Sequence, residues 1–360
     1  MYRTPLRGDI YYWKCDRPAA FHGTEGQILT ADLHPQLLAL LQRQNPGLTI
    51  DLKEGGGQGN HRTFIARIGE EDVFVRIEDG PEQDDYIETE SCVQEAVRAL
   101  GVRTPRILGV DASRDEVPFA WQLMEVVPYP DLNHWHKRGE LDLPRMAHQI
   151  GAAVARWQDV PVDHYGPFRS GNDGLKGFHA SYANYFHLHL DRHLDFLTGH
   201  QFLSQGGADE IRHEIKSHEP LLNLACGCLV HKDLALWNIL GKEDEIVSFI
   251  DWDDSISGDP MDDLSLLGCF YDGVVISAAL AGYERLKPLP PEYRRRFWLH
   301  LLRNMIVKAV IRVGAGYFDR NDGFFLIGSG STGADLRSLT QARLQAALHG
   351  LRADATVATL

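Results

Sequence analysis

The chain has 360 residues, of which 44% are hydrophobic and 24% charged, and its net charge is −14. This length permits two lobes with separate cores, and the composition is typical of a globular protein. The acidic balance disfavours nucleic acid and anionic membrane surfaces as partners, and no apolar run approaches the roughly 20 residues that span a bilayer.

The N-terminal residues contain no apolar secretory segment, so we expect a cytoplasmic protein. The five cysteines fit a reducing compartment, and Cys226-x-Cys228 has no second cysteine pair with which to form a zinc site. Residues 1–45 form an N-terminal extension in which 10–15 is aromatic and strand-like and 35–43 is helical by pattern. The aromatic residues predict that this extension packs against the rest of the protein.

From residue 46 the pattern changes to short strands separated by turns. Segments 48–54 and 62–68 are strand-like, and 72–77 alternates as a half-buried strand. The segment between the first two contains Gly56, Gly57, Gly59 and Asn60. Glycines at such a turn let the backbone donate N–H groups to phosphate oxygens, although a flexible turn is the alternative interpretation. A helix over 86–100 and a strand over 120–127 complete a lobe at 46–127.

Residues 128–360 are mainly helical by pattern, with amphipathic helices predicted over 146–157 and 297–310. Within 182–200, four side chains have a spacing compatible with metal binding on one helix face: His187, His189, Asp191 and His193. We interpret them as polar side chains of a solvated helix, which is the commoner origin of such clusters.

The most informative motif lies between residues 229 and 254. Asp233 and Asn238 are five residues apart, and Asp251 follows thirteen residues after Asn238. A kinase needs one carboxylate that accepts a proton from a hydroxyl, and an amide and a second carboxylate that hold magnesium against a triphosphate. The apolar flanks at 228–230 and 246–250 predict short buried strands that fix the separation of these groups.

This motif resembles that of the aminoglycoside phosphotransferase and choline-kinase-like enzymes, which are small-molecule relatives of the protein kinases. The matching stretches are His231-Lys232-Asp233 with Asn238, Ile250-Asp251-Trp252-Asp253, Gly258-Asp259-Pro260 and Asp263-Leu264. The resemblance implies an α+β, bilobal protein-kinase-like fold, with a small antiparallel β lobe that includes one helix and a larger, mainly helical lobe. It also implies ATP as phosphoryl donor, with GTP as an alternative, and Mg²⁺ as the metal.

The resemblance further implies roles for individual residues of the large lobe. Asp233 corresponds to the catalytic base and His231 to a residue that braces its loop. Lys232 occupies a position next to the base where protein kinases have Arg, and we group it with the catalytic residues. Asn238 and Asp251 correspond to the magnesium ligands.

In the small lobe, the glycine-rich segment corresponds to the loop that covers the phosphates. Arg76 corresponds to the cation that contacts the α- and β-phosphates, and a Glu of the following helix would orient it. The candidates for that Glu are Glu88, Glu90 and Glu95, of which we favour Glu90 from its distance to the Gly101-Val-Arg-Thr-Pro segment. The hinge from Glu125 to Val127 would bind adenine through backbone groups.

The acceptor is expected to be a small molecule, because no Ala-Pro-Glu segment follows Asp251 and Asp263-Leu264 comes only twelve residues later, which leaves little chain there to dock a polypeptide. The carboxylates that could bind ammonium groups of the acceptor are Asp253, Asp254, Asp259, Asp262, Glu284, Asp319 and Asp322. Asp259 and Asp263 could instead cap helices. We therefore rank an aminoglycoside or amino-sugar-like polyol first, another sugar or metabolite second, and a choline-like alcohol third, since no aromatic cage is evident. A catalytically inactive, ligand-binding kinase fold is the alternative of another class, and both a monomer and a homodimer remain open.

Overall fold

The structure, a computed structural model, describes residues 7–17, 33–55, 61–80, 83–169, 174–321 and 332–360. The predicted phosphate-covering residues Gly56, Gly57, Gly59 and Asn60 lie outside the described residues, as does Asp322. Among the described helices, none is long and apolar enough to cross a membrane.

The small lobe is built on a five-stranded antiparallel sheet with the strand order β1-β2-β3-β5-β4. Its strands are β1 (Ile50–Glu54), β2 (Arg62–Ile68), β3 (Glu71–Glu78), β4 (Ile107–Asp111) and β5 (Ala120–Glu125). Four of them coincide with predicted strands. The pattern did not reveal β4, a short strand whose pairing with β5 shifts register between Ile107 and Gly109 and which exposes Leu108.

Three helices precede or flank this sheet in the chain: α1 (Trp13–Asp16), α2 (His34–Gln44) and α3 (Tyr86–Ala99). The periodicity of α2 places Leu37, Leu40 and Leu41 on one face, and all three are fully buried in the same hydrophobic cluster as the strands. This helix therefore contributes to the core of the small lobe, although the sequence assigns it to the N-terminal extension.

The strand predicted at residues 10–15 is wrong. A 3₁₀ turn at Arg7–Asp9 and helix α1 take its place. The Asp16 carboxylate accepts hydrogen bonds from the backbone N–H groups of Tyr11 and Tyr12, which folds the chain back on itself in place of a strand. Packing of the segment is confirmed, since Tyr11, Tyr12 and Trp13 are all buried.

The large lobe is mainly helical, with short strands at its boundary with the small lobe. Its helices are α4 (Leu132–Lys137), α5 (Leu143–Trp157), α6 (Tyr182–Phe186), α7 (Leu190–Gly199), α8 (Gln205–Ser217), α9 (Asp262–Leu267), α10 (Gly273–Glu284), α11 (Tyr293–Gly314) and α12 (Gly333–Ala353). Its strands are β6 (Val162–Asp163), β7 (Tyr165–Phe168), β8 (Leu175–His179), β9 (Cys228–Val230), β10 (Ile239–Gly241), β11 (Ile246–Phe249) and β12 (Ile256–Gly258). Most of the hydrophobic core lies here, in one continuous cluster.

Helices α5 and α10 approach each other closely in this core. A Cβ at Gly151 of α5 would lie 1.8 Å from the Ala279 carbonyl oxygen, and one at Gly282 of α10 would lie 1.9 Å from the His148 carbonyl oxygen. Only glycine fits at these two contacts, because any side chain would separate the helices. Together the antiparallel small lobe and the helical large lobe confirm the predicted α+β fold class.

Candidate active site

The loop that carries Asp233 is held by a buried carboxylate from α9. Strand β9 pairs with β12 and ends at Val230, where the loop begins. Asp263 accepts hydrogen bonds from the backbone N–H groups of His231 (2.9 Å) and Lys232 (3.0 Å), and from Trp157 Nε1 (3.1 Å). Lys232 has a φ of +69°. Three hydrogen bonds to one carboxylate stabilise this left-handed backbone and fix the loop.

His231 connects that loop to the segment that carries Asp251. Its Nε2 lies 3.0 Å from the carbonyl oxygen of Ile250, and the backbone N–H of Asp233 donates to its Nδ1 at 3.3 Å. The imidazole is fully buried and 4.4 Å, between ring centroids, from Trp252. A rigid ring between the two loops sets the separation of the two carboxylates, which is the bracing arrangement that the resemblance implies.

Lys232 lies in the core and not beside the reacting groups. Its Nζ is 2.7 Å from Asp262, 3.2 Å from the Tyr11 hydroxyl and 3.2 Å from Asn304 Oδ1. Each of the three ammonium donors therefore has a partner, and the side chain is 1% exposed. The sequence groups Lys232 with the catalytic residues, and in the structure its ammonium joins the loop to Asp262 of α9 and Asn304 of α11.

The Asp233 carboxylate is buried and accepts hydrogen bonds at both oxygens. Oδ1 accepts from the Tyr12 hydroxyl (2.8 Å) and Lys308 Nζ (3.2 Å). Oδ2 accepts from Lys14 Nζ (3.0 Å) and Asn238 Nδ2 (3.1 Å). Burial disfavours the charged form, but the ammonium groups of Lys14 and Lys308 outweigh it and hold the pKa of Asp233 far below its usual range.

Three of these four partners were not found by sequence reasoning. Tyr12, Lys14 and Lys308 lie 221, 219 and 75 residues from Asp233 along the chain. One signal was available: Lys308 is a charged residue in the otherwise apolar stretch 305–310 of α11, and a buried lysine requires a carboxylate partner. Nothing in the pattern around Lys14 indicates its partner.

Asn238 and Asp251 offer oxygen atoms to the cleft. The Asn238 amide donates through Nδ2 to the Asp233 backbone oxygen at 2.8 Å, which leaves its Oδ1 without a hydrogen bond among the described residues. Asp251 has a φ of +66°, and its side chain is 35% exposed. Burial and the neighbouring Asp253 raise the pKa of Asp251, and they outweigh the opposing effect of Arg76 and Lys14. An amide oxygen and a carboxylate are the hard donors that Mg²⁺ prefers, so these residues fit the ion.

Arg76 on β3 forms a buried ion pair with Glu90 on α3. Arg76 Nη1 lies 2.6 and 2.7 Å from the two Glu90 oxygens, and Glu90 also accepts from the backbone N–H of Trp252 at 3.1 Å. By contrast, Glu88 accepts from the Ala112 backbone and Glu95 is exposed. Arg76 Nη2 is buried without a hydrogen bond to any described residue and lies 3.5 Å from Asp251 Oδ1. A buried guanidinium N–H without a hydrogen bond, beside a candidate metal ligand, fits a phosphate oxygen.

The predicted hinge follows β5. The backbone N–H of Glu125 donates to the Arg106 oxygen, and the Val127 oxygen accepts from the backbone N–H of Tyr129, both at 2.9 Å. The Val127 N–H makes no hydrogen bond within the described part of the chain. Of these groups it is therefore the one available to an adenine.

Most of the carboxylates predicted to bind ammonium groups have partners in the protein. Asp253 lies 3.4 Å from His61 Nε2 and 3.7 Å from Arg76 Nη2. Asp259 pairs with Arg296, and Asp262 pairs with Lys232. Glu284 and Asp319 are exposed on the surface. Asp254 alone of the four near the site makes no hydrogen bond among the described residues, and burial and Asp253 raise its pKa to about 7.

One cluster of possible metal ligands lies between α1 and α7 in the described part of the chain. Cys15, Asp16 and His193 come within 4.8 Å of one another. Both ring nitrogens of His193 have partners, however: Nε2 lies 2.7 Å from Asp16 and Nδ1 lies 3.1 Å from Arg303. These hydrogen bonds explain the cluster as a packing network between α1, α7 and α11.

The model of the phosphotransferase enzyme family, abbreviated APH, matches residues 51–299. The chain belongs to this family. It is therefore a small-molecule kinase. A comparison with curated protein sequences finds no match.

Solved structures share the fold of this phosphotransferase at low sequence identity. Aminoglycoside phosphotransferase APH(4)-Ia has a TM-score of 0.62 and 15% identity over 88% of this chain and 98% of its own. A thermostable mutant of that enzyme, solved with ADP and hygromycin B, has a TM-score of 0.59 and 15% identity over 86% and 97% of the two chains. A protein from Thermobifida fusca assigned as a fructosamine-3-kinase has a TM-score of 0.60 and 18% identity over 86% and 99%.

The segment that matches the family contains Asp233, Asn238, Asp251, Arg76 and Glu90. The three further residues that surround the Asp233 carboxylate lie outside it, two before residue 51 and one after residue 299. In this phosphotransferase, segments on both sides of the matched stretch thus contribute side chains that surround Asp233.

Proposed function

We propose that this kinase transfers the γ-phosphoryl group of ATP to a hydroxyl of a small molecule, with Asp233 as the catalytic base. The hydroxyl oxygen would form a bond to the γ-phosphorus as the bond to the β,γ-bridging oxygen breaks, which releases ADP, and the hydroxyl proton would pass to Asp233. The observation that carries the proposal is the hydrogen bond between Asp233 Oδ2 and Asn238 Nδ2, which joins a base to a candidate metal ligand.

Asn238 Oδ1 and the Asp251 carboxylate would hold Mg²⁺. When bound there, the ion supplies positive charge that neutralises the phosphate oxygens. Arg76, fixed by Glu90, would donate its unsatisfied Nη2 to the α- and β-phosphates. The low pKa of Asp233 keeps the carboxylate ionised, so that it can accept the hydrogen bond that orients the hydroxyl.

For the acceptor we propose a sugar-like polyol with few ammonium groups near the reacting hydroxyl. Asp254 supports an amino sugar, because its carboxylate has no hydrogen bond to any described residue. Lys14 and Lys308 beside Asp233 disfavour several ammonium groups there, since like charges repel at short range. Neutral sugars and other metabolites are the second candidates for this site.

The deciding experiment is a phosphorylation screen with Mg-ATP over aminoglycosides, monoamino sugars, neutral sugars, amino alcohols and macrolides. We expect turnover of an amino sugar or neutral sugar, and for an amino sugar we expect only a modest fall in affinity with salt, because Asp254 is buried and buried charge pairs are screened less than exposed ones. Repeating the reaction with Asp254→Asn tests the ammonium contact: an amino-sugar KM that does not change would contradict it. Turnover restricted to macrolides or amino alcohols would overturn the acceptor class and leave the kinase assignment unchanged.

A further inference from the structure

We propose that Lys14 contacts the γ-phosphate of bound ATP, so that the N-terminal segment 7–17 forms part of the nucleotide site. The inference rests on the proposed function and adds a phosphate-binding residue to it. Lys14 lies outside the segment that matches the family, in a part of the chain that the sequence treats only as an extension.

The position of the Lys14 ammonium is the first argument. Its Nζ lies 3.0 Å from Asp233 Oδ2, the same oxygen that accepts from Asn238 Nδ2 at 3.1 Å. The ammonium is therefore on the side of Asp233 that faces the candidate metal ligands. The transferred phosphoryl group must lie between the base and the metal ligands, because the attacking and leaving oxygens are roughly in line through it.

The charges around Lys14 also support a contact with the γ-phosphate. Burial lowers the pKa of its ammonium, but the carboxylates of Asp233, Asp254 and Asp251 outweigh burial and raise it. Lys14 is thus a permanent cation that lies among carboxylates from both motifs. A phosphate bound there would meet a positive charge in an otherwise acidic part of the cleft.

Lys14 is also the most accessible donor beside Asp233. Its side chain is 38% exposed, whereas that of Lys308 is 10% exposed and Tyr12 is buried. Lys232, which is the cation of the catalytic loop itself, is buried and has partners for all three donors. With three rotatable N–H donors, Lys14 can contact a phosphate oxygen and Asp233 together.

The segment that carries Lys14 is anchored firmly enough to position it. Asp16 lies 2.7 Å from His193, the Tyr185 hydroxyl donates to the Tyr11 oxygen at 2.8 Å, and Tyr11 and Tyr185 stack at 4.9 Å. Arg7, at the other end of the segment, forms an ion pair with Asp84 at 2.8 Å. Anchors on both sides of Lys14 hold its backbone in place before nucleotide binds.

The test compares a nucleotide that has a γ-phosphate with one that lacks it. We would measure the Kd of Mg-AMP-PNP and of Mg-ADP by calorimetry for the wild type, Lys14→Met and Lys14→Arg. Lys14→Met should weaken AMP-PNP binding by about tenfold or more, as expected for loss of a charge-assisted hydrogen bond, and leave ADP binding unchanged. Lys14→Arg should keep most of the AMP-PNP affinity, because it keeps the charge.

The matched control is Lys287→Met, which removes a lysine of 30% exposure that pairs with Asp159 at the far end of α10 and should change neither Kd. If the ratio of the AMP-PNP Kd to the ADP Kd is the same in Lys14→Met and the wild type, Lys14 does not contact the γ-phosphate. Tighter AMP-PNP binding by Lys14→Met would also overturn this role, and it would show that Lys14 obstructs nucleotide binding. A wild type that binds neither nucleotide would instead overturn the proposed function itself. Thermal melting of each variant verifies that it is folded.

Discussion

At the scale of single residues, the site depends on how neighbours fix the state of each functional group. Asp233 is a weak base in isolation and is made weaker by Lys14 and Lys308. In the proposed role, such a carboxylate would orient the hydroxyl and take its proton only as the oxygen acquires positive charge. The pKa of Asp251, in contrast, is raised by burial and Asp253 although Arg76 Nη2 lies 3.5 Å away, so its environment favours a further cation such as a metal ion.

Asp233→Asn should lower turnover by about 10²–10⁴-fold, because it removes the proton acceptor while it keeps the shape of the side chain. Nucleotide binding should remain close to that of the wild type. The measurement is the rate of phosphoryl transfer to the best acceptor of the screen, together with the Kd of Mg-AMP-PNP. Wild-type turnover in this variant would place the base elsewhere.

Asp251→Ala should abolish the part of nucleotide affinity that depends on magnesium, because it removes the charged metal ligand. The measurement is AMP-PNP binding with magnesium and with EDTA, for the wild type and the variant. Asp319→Ala, which removes an exposed carboxylate of the large lobe, is the control. If Asp251→Ala still binds AMP-PNP more tightly with magnesium than with EDTA, Asp251 does not hold the metal.

At the scale of elements, α1 joins the N-terminal segment to the large lobe through one buried carboxylate. Asp16 accepts from the backbone N–H groups of Tyr11 and Tyr12 and lies 2.7 Å from His193 Nε2. Arg303 of α11 extends this network, since its guanidinium contacts His193 and stacks on Tyr11 at 3.6 Å. The position of Lys14 therefore depends on contacts with α7 and α11.

Asp16→Ala should lower the free energy of unfolding by about 1–3 kcal/mol, because it leaves buried backbone N–H groups without an acceptor. It should also weaken AMP-PNP binding relative to ADP, as Lys14→Met does, because Lys14 loses its anchor. Urea denaturation and calorimetry measure the two effects. Asp191→Ala on α7, whose carboxylate is exposed, is the control for stability. A fully stable Asp16→Ala variant with unchanged nucleotide selectivity would contradict this account.

At the scale of the whole molecule, Glu90 connects the two lobes. Its carboxylate binds Arg76 of the small-lobe sheet and the backbone N–H of Trp252 in the motif of the large lobe. Glu90→Ala should lower the free energy of unfolding by about 3–5 kcal/mol, because it breaks a buried ion pair and leaves Arg76 with only its longer contacts to Asp251 and Asp253. Glu95→Ala on the exposed face of the same helix should change it by less than about 0.5 kcal/mol. Similar urea midpoints for the two variants would contradict the proposed coupling.

Much of the fold was predictable from local pattern. Alternation in 62–68 and 72–77 and periodicity in 35–43 and 146–157 correspond to β2, β3, α2 and α5, because these segments bury one face each. The prediction failed where local pattern and tertiary contacts disagree. The aromatic residues 10–15 are strand-like by composition, but the Asp16 carboxylate turns their backbone.

The sequence by itself determined which segment brings Asp233, Asn238 and Asp251 together, because these residues are close along the chain and their spacing reflects short strands and turns. Only the tertiary structure decided which Glu meets Arg76, since Glu88, Glu90 and Glu95 lie on one helix and differ in the direction they face. The tertiary structure also places Lys14 and Lys308 beside Asp233 and buries Lys232 against Asp262. Contacts between residues 219 apart depend on how the lobes pack, and no local spacing encodes them.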